Sequence, residues 1–414
     1  MKVVIVSHAH PTFSKGDAEL AAYYLWQGID SHPEHQAWFI GRAEPHLMHR
    51  HSGLAAIGER EYLMAGSTDI HDLVATAEFG PDSAPAQLLA RIEPDVVHFH
   101  HYVHVGVEMI RLARRMCPRA RIVLTLHEFL AICMNNGQMV KTNGQLCHQS
   151  SPRECHLCFP HVSKEDLFLR EQYIKSFFDL VDVFISPSHF LRERYVAWGI
   201  EPERITVLEN GLPEGPPSPL RTLGEGEKRT RMAYFGQITP FKGLDVILEA
   251  FAGLPKKQRR QFTLDIFGSE LENQSEAFRE KIDGLLRRLE GRVHLHGAYE
   301  PHEMGRLMGE VDWVVMGSIW WENSPLVIQE AFKFGRPVIA PDIGGMAEKV
   351  QPGQGGLNYR ARDSASLGSV LQRILREPTL FDELRATLPA YSKASDVTDR
   401  HLDVYLQGPD GGLL

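Results

Sequence analysis

The chain alternates short apolar runs with longer amphipathic stretches. The runs at 3–7, 37–40, 96–100, 122–126, 183–186 and 205–208 have few polar interruptions. A strand covered on both faces reads this way, whereas a half-exposed strand alternates apolar and polar residues. Between these runs, 18–29, 107–116 and 189–198 repeat apolar residues at helical spacing. Asp17 is placed to cap the first of these helices and Ser188 the last. Strand and helix in steady succession predict a parallel sheet with helical crossovers.

The rhythm breaks at 213–230. Pro213-Glu214-Gly215-Pro216-Pro217-Ser218-Pro219, followed by Gly224-Glu225-Gly226-Glu227, suits neither a helix nor a central strand. Alternation then resumes, with strands predicted at 232–235, 262–267, 293–295, 313–316 and 337–340. Helices are predicted at 244–252, 275–289, 302–308, 325–334 and 367–376. The expected fold is α/β with two Rossmann-like, doubly wound domains facing across a cleft, 1–212 and 231–390, joined by the linker 213–230. The tail 391–414 carries a last helix, about 394–406, expected to pack back on the first domain. In such sheets ligands bind beyond the carboxyl ends of the strands, so candidate chemistry is sought there.

Bulk composition narrows this picture only a little. At 414 residues, the chain exceeds what a single core usually holds. Its 44 Lys and Arg against 53 Asp and Glu give a net charge of −9. That balance argues against nucleic acid as a partner, which demands a basic surface. Met1-Lys2 leads straight into Val3-Val4-Ile5-Val6, with no leader pattern, and no uncharged apolar run reaches the roughly 20 residues of a spanning helix. The expectation is a cytoplasmic protein, with peripheral contact at the inner face of a membrane left open. A Gly-x-Gly-x-x-Gly turn, the mark of a nicotinamide site, is not supplied by 7–17.

Three stretches in the second half carry chemistry. Gly236 and Gln237 follow a predicted strand, and Lys242 stands just before a helix, where an ammonium and a helix N-terminus together favour an anion. A solvated lysine beside a turn glycine would look the same. Trp320-Trp321-Glu322-Asn323-Ser324-Pro325-Leu326-Val327-Ile328-Gln329-Glu330 follows another strand. Ser324 is read as the N-cap and Pro325 as the first helical residue, with amides near Leu326 and Val327 at the helix mouth. Pro337-Val338-Ile339-Ala340 and Gly344-Gly345-Met346-Ala347-Glu348 complete the set.

In this order the motifs resemble the retaining glycosyltransferases of family 4, which have the two-Rossmann architecture called GT-B. The likeness covers nearly the whole chain, and the glutamates Glu322 and Glu330, with seven residues between them, are its most specific part. The resemblance implies a transferase that moves a hexose-type sugar from a nucleotide-diphosphate donor to a saccharide or lipid-linked acceptor, in polysaccharide or glycoconjugate synthesis. By the same resemblance, Lys242 and the amides of Ser324–Val327 hold the diphosphate. Glu322 holds sugar hydroxyls and Glu330 the ribose, while the base lies near Phe267-Gly268 and Gly297–Tyr299. Where the family usually has arginine, this chain has Gln237, so one of two cations is missing. The fold equally admits a sugar-nucleotide epimerase or hydrolase, or a catalytically silent binding protein.

In the first half, Gly16 matches the second glycine of the family's N-terminal loop, with Lys15 where the first would be. The family places this loop against the diphosphate and the acceptor. His127 ends a strand, at a point where related enzymes direct a histidine at the sugar, and it joins Lys242 and Glu322 as a catalytic candidate. His98, His100, His101 and His104 follow another strand, in a spacing that matches no settled zinc motif. No metal is expected in catalysis, because no Asp-x-Asp cluster was found. Finally, Cys133, Cys147, Cys155 and Cys158 cluster within a loop-like stretch, 133–158. Four thiolates suit a structural zinc, but gaps of thirteen and seven residues are not a standard finger, so zinc and four unligated cysteines both stay open. Cys117 stands apart.

Overall fold

A computed structural model describes residues 1–14, 16–43, 53–66 and 79–407. Lys15 lies outside these residues. The chain forms two compact units, one of Met1–Pro213 with Ser392–Leu414, the other of Glu214–Tyr391.

In the first unit an eight-stranded sheet runs Leu54–Ala56, Glu61–Ala65, Gln36–Ala43, Lys2–Ser7, Val96–Phe99, Arg121–Thr125, Val183–Ser186, Ile205–Val207. Every neighbouring pair is parallel except the edge pair Leu54–Ala56 with Glu61–Ala65. Those two short strands escaped the sequence reading, since their apolar runs are too short to distinguish a strand from a helix. Helix Asp17–Asp30 begins one residue earlier than Asp17 capping would require, because Gly16 is its N-cap and makes no side-chain cap bond. Ser188 does cap His189–Trp198, accepting from the Leu191 amide at 3.2 Å. Helix Lys164–Phe178 was missed; its apolar residues Leu167, Phe168 and Leu169 run consecutively rather than at helical spacing.

The last helix, Ala394–Leu406, belongs to this first unit. Its Leu402, Val404 and Tyr405 share a core with Val3, Ile5 and Leu25. The Tyr405 hydroxyl also lies 2.6 Å from His98 Nδ1.

In the second unit a seven-stranded parallel sheet runs Val293–Gly297, Thr263–Phe267, Arg231–Phe235, Trp313–Val315, Val338–Pro341, Gly355–Tyr359, Gln351–Pro352. Met232 and Tyr234 join one apolar cluster, while Ala233 and Phe235 join another. Successive side chains of a strand point to opposite faces, so both faces of this sheet are covered.

Residues 214–230, predicted as part of a linker, belong to this second unit. Arg336 is fully buried and donates to the carbonyls of Ser218 and Pro219, each at 2.8 Å. Asp312, also fully buried, accepts from Arg221 at 2.8 Å and Arg229 at 3.1 Å. A proline-rich run lacks regular backbone bonds of its own, so these arginine contacts supply what a helix or ladder would. Among the described residues, no helix is long and apolar enough to cross a membrane.

Candidate functional site

Strand order marks where each sheet can bind a ligand. In the second unit, Arg231–Phe235 lies between Thr263–Phe267 and Trp313–Val315. The chain therefore builds outward on one side and returns on the other. At such a reversal the loops leaving two adjacent strands diverge and leave a crevice at their carboxyl ends. These loops are 236–243 and 316–325, which hold Lys242 and Glu322.

The two side chains meet there, with Lys242 Nζ 2.8 Å from Glu322 Oε1. Ser318 Oγ donates to the same oxygen at 2.7 Å and Trp320 Nε1 at 3.0 Å. Lys242 also sits 5.6 Å above the Trp320 ring. The Glu322 side chain is 7 % exposed and that of Lys242 29 %. A carboxylate so buried needs such donors to offset its lost hydration.

Tight backbone contacts build this corner. Gly243 adopts φ 62°, and a Cβ there would collide with the Gly317 carbonyl. A Cβ on Gly345 would collide with the carbonyl of Asn323, while its own amide donates to Glu322 O at 2.7 Å. The start of helix Gly344–Lys349 thus presses directly on the loop that carries Glu322.

The helix after this loop is Leu326–Lys333, with Pro325 as N-cap and no side-chain cap bond. Ser324 is therefore not the cap, and Pro325 is not the first helical residue. Proline's fixed φ with an extended ψ, 120°, places the boundary after it. Ser324 is buried in the loop instead. Glu330 lies on this helix, partly buried, and its charge acts on Lys333.

Gly236, Gly268 and Gly297 join three successive strand ends. Gly236 donates to Phe267 O at 3.0 Å, and Gly268 to Gly297 O at 2.7 Å. Gln237 is exposed, and its carbonyl accepts from the Tyr234 hydroxyl at 2.7 Å. Tyr299 packs edge-on against Phe235 at 5.5 Å, and Phe235 stacks on Phe267 at 5.0 Å. His296 stacks on the Phe267 ring at 4.6 Å. Sequence reasoning picked Phe267 and Tyr299 but not Phe235 or His296, whose aromaticity at strand ends was the available signal.

In the first unit the reversal falls at Lys2–Ser7, between Gln36–Ala43 and Val96–Phe99. Histidines gather there. His8 and His101 rings are 4.5 Å apart, and His100 Nδ1 lies 3.1 Å from His127 Nε2. His98 Nε2 reaches Thr125 Oγ1 at 2.7 Å. Burial lowers the pKa of His8, His98, His100, His101 and His401, that of His401 to about 4. Burial first, then the charges of His8 and His401, push His127 down to about 3. These imidazoles are neutral near pH 7 and can accept or donate a hydrogen bond without carrying charge.

Two acids in this region were not assigned from the sequence. Burial pushes Glu128 up to about 8, against the opposing pull of the Leu130 amide and Arg170. Buried Glu19 lies 3.4 Å from His8 Nε2 and accepts from Ser14 Oγ at 2.5 Å. Its carboxylate also packs close to Gly16. A narrow pocket is lined by His100, Thr125, Asn210 and His401 among others. His100 Nε2 is buried and has no hydrogen-bond partner among the described residues. None of the four clustered cysteines is in a disulfide, and all line one other pocket of this unit.

Known proteins place this geometry in a family. The model of the "Glycosyltransferase Family 4" matches residues 77–214, and that of the "Glycosyl transferases group 1" matches 220–394. A D-inositol 3-phosphate glycosyltransferase of Frankia alni is 28 % identical over 200 residues, 45 % of this chain and 48 % of that protein. The lipopolysaccharide 1,2-N-acetylglucosaminetransferase of Salmonella typhimurium is 26 % identical, over 51 % of this chain and 56 % of that one. The chain thus spans about half the length of the curated relatives it matches. Among solved structures, Anabaena HepE in complex with UDP and glucose superposes with a TM-score of 0.62 at 20 % identity, covering 97 % of this chain and 95 % of that one. Sucrose-phosphate synthase of Thermosynechococcus elongatus gives 0.68 at 17 %, covering 98 % of each. Those likenesses speak to the fold, which is GT-B. With the two family models matching successive halves and the fold agreeing, the chain belongs to the family 4, group 1 glycosyltransferases.

Proposed function

We propose that the protein is a retaining glycosyltransferase that moves a hexose-type sugar from a nucleotide-diphosphate donor onto a saccharide or lipid-linked acceptor. Surface polysaccharide or glycoconjugate synthesis is the proposed setting. The observation that carries this reading is the Lys242–Glu322 pair at the strand reversal of the second unit, 2.8 Å apart and backed by Ser318 and Trp320. HepE, a fold neighbour, was crystallised with UDP-glucose, which supports a nucleotide sugar as donor.

When the donor binds, Lys242 turns from Glu322 to the diphosphate, and Glu322 accepts hydroxyls of the sugar. As the anomeric carbon–oxygen bond breaks, negative charge grows on the departing diphosphate. A preorganised ammonium beside a helix N-terminus stabilises that charge most where water is scarce. Glu330 reads the ribose. The aromatic group of Phe235, Phe267 and Tyr299 flanks the base together with Gly268. The acceptor oxygen forms the new bond on the face the diphosphate leaves, and a phosphate oxygen takes its proton. Configuration is thereby retained without a carboxylate nucleophile beneath the ring.

The first unit's histidine group is assigned to the acceptor side. With its pKa near 3, His127 stays neutral and orients a hydroxyl rather than donating a full charge. The orphaned His100 Nε2 offers a second hydrogen bond.

A thermal-shift panel of nucleotide sugars tests the donor. A donor at 100 times its Kd adds about 2.7 kcal/mol, which moves Tm by roughly 5–11 °C for a unit of this size. Product NMR with the best donor then reads the anomeric configuration. If no nucleotide or nucleotide sugar raises Tm, the reading is lost. Donor consumed without any acceptor product points to a hydrolase or epimerase instead.

A further inference from the structure

The segment between strand Arg121–Thr125 and helix Lys164–Phe178 is long and thinly supported. Its first part packs normally, since Phe129, Leu130, Ala131, Ile132, Met139 and Val140 are buried. From 141 to 166, however, no residue is buried. That stretch has one isolated bridge at its mouth, Val140 with Leu146, and one seven-residue helix, Pro152–Cys158. A helix so short is marginal alone. The ion pair of Lys141 with Glu154, 31 % and 46 % exposed, adds little. A connection this long without a core of its own needs some other staple.

The cysteines converge on this stretch. Cys155 and Cys158 lie three apart on the short helix and so share a face. Cys147 follows the bridged hairpin, its amide donating to Met139 O at 2.7 Å. Cys133 lies in the turn after Phe129, its amide donating to Phe129 O at 2.7 Å. All four line one pocket with an empty volume of about 400 Å³, beside Met139 and Val140.

We propose that Cys133, Cys147, Cys155 and Cys158 together bind one structural zinc ion as thiolates, tying 133–158 to the buried floor of the first unit. As thiols the sulfurs face separate partners. Cys147 Sγ donates to Gln149 O at 3.4 Å, and no three His, Cys, Asp or Glu among the described residues converge as a ligand set. One step between staggered rotamers swings a cysteine sulfur by about 3 Å, into the pocket it already lines. Four soft sulfurs around one point suit tetrahedral zinc at about 2.3 Å, and a site closed by four protein ligands leaves no place for a substrate. The zinc is therefore a staple and takes no part in transfer. Cys117 lies away from the pocket and is no ligand.

The test uses the full chain, expressed with zinc in the medium and purified without chelator. Elemental analysis is expected to find about one zinc per chain. Cys155→Ser with Cys158→Ser should lower it to background, while Cys117→Ser keeps it. Should the double variant misfold, the wild-type protein still decides: titration with a mercurial, read by a metallochromic dye, should release zinc in step with about four thiols. Iron in place of zinc, four thiols that titrate without zinc release, or zinc retained in the double variant would overturn the proposal.

Discussion

Removing Lys242 as Lys242→Met strips the ammonium from a carboxylate that keeps two uncharged donors, Ser318 and Trp320. At 2.8 Å, two unit charges in an effective dielectric of about 20 attract by about 6 kcal/mol before desolvation. Holding a long lysine in one geometry and drying the carboxylate offset most of this. Because the lysine side chain is 29 % exposed, water also replaces part of the loss. The expected net cost of Lys242→Met is about 2 kcal/mol, below the 3–5 kcal/mol of a fully buried broken pair. Glu322→Gln removes the same attraction from the other side, so the double variant should cost less than the sum of the singles by about 1–3 kcal/mol. Urea unfolding of the full chain, followed by tryptophan fluorescence, measures the cycle. Each single variant should also lower kcat/KM by about 10²-fold, the scale of one preorganised charge contact. Additivity within about 0.5 kcal/mol, with near-normal turnover in both singles, would refute both the pairing and its role.

Gly345→Ala drives a methyl into the Asn323 carbonyl, so we expect a loss of about 1–3 kcal/mol together with weakened donor binding; an unchanged Tm and Kd would refute the packing argument. Asp312→Ala leaves Arg221 and Arg229 without their buried carboxylate, and urea unfolding should show a loss of about 3–5 kcal/mol. The buried histidines set an acid limit. Their folded pKa values lie below the unfolded 6.5, so the unfolded chain binds more protons below that pH and stability falls as pH drops. Between 6.5 and their folded values of about 3 and about 4, His127 and His401 each contribute a slope of about 1.4 kcal/mol per pH unit, and Glu128, raised by burial to about 8, offsets one of them over pH 7 to 5. Calorimetry at pH 7 and pH 5 reads it, and an equal Tm at both would contradict their burial as neutral rings.

Much of the architecture was legible because buried parallel strands advertise themselves. A strand such as Lys2–Ser7, covered on both faces, must be apolar throughout, and the run Val3–Val6 says so without reference to the rest of the chain. Leu54–Ala56, at the sheet's edge, and its neighbour Glu61–Ala65 are short, and their few apolar residues do not by themselves separate a strand from a helix. Helix ends were less secure. Ser188 capped as read, but at Gly16 and Pro325 the chain entered its helix without a side-chain cap, because the neighbouring backbone set the boundary.

By itself, then, the sequence determined the central strands and most of the helices of two doubly wound units, and that Lys242 and Glu322 follow strand ends. Periodicity and turn chemistry are local, and a short window contains them. Tertiary structure alone decided that these two residues, eighty positions apart, share one oxygen with Ser318 and Trp320. It alone gathered His8, His100, His101 and His127 into a dry cluster, and made Glu128 an acid held near pKa 8. Strand order sets such meetings and burial sets such charges. Both depend on what lies across the sheet, which no stretch of neighbouring residues encodes.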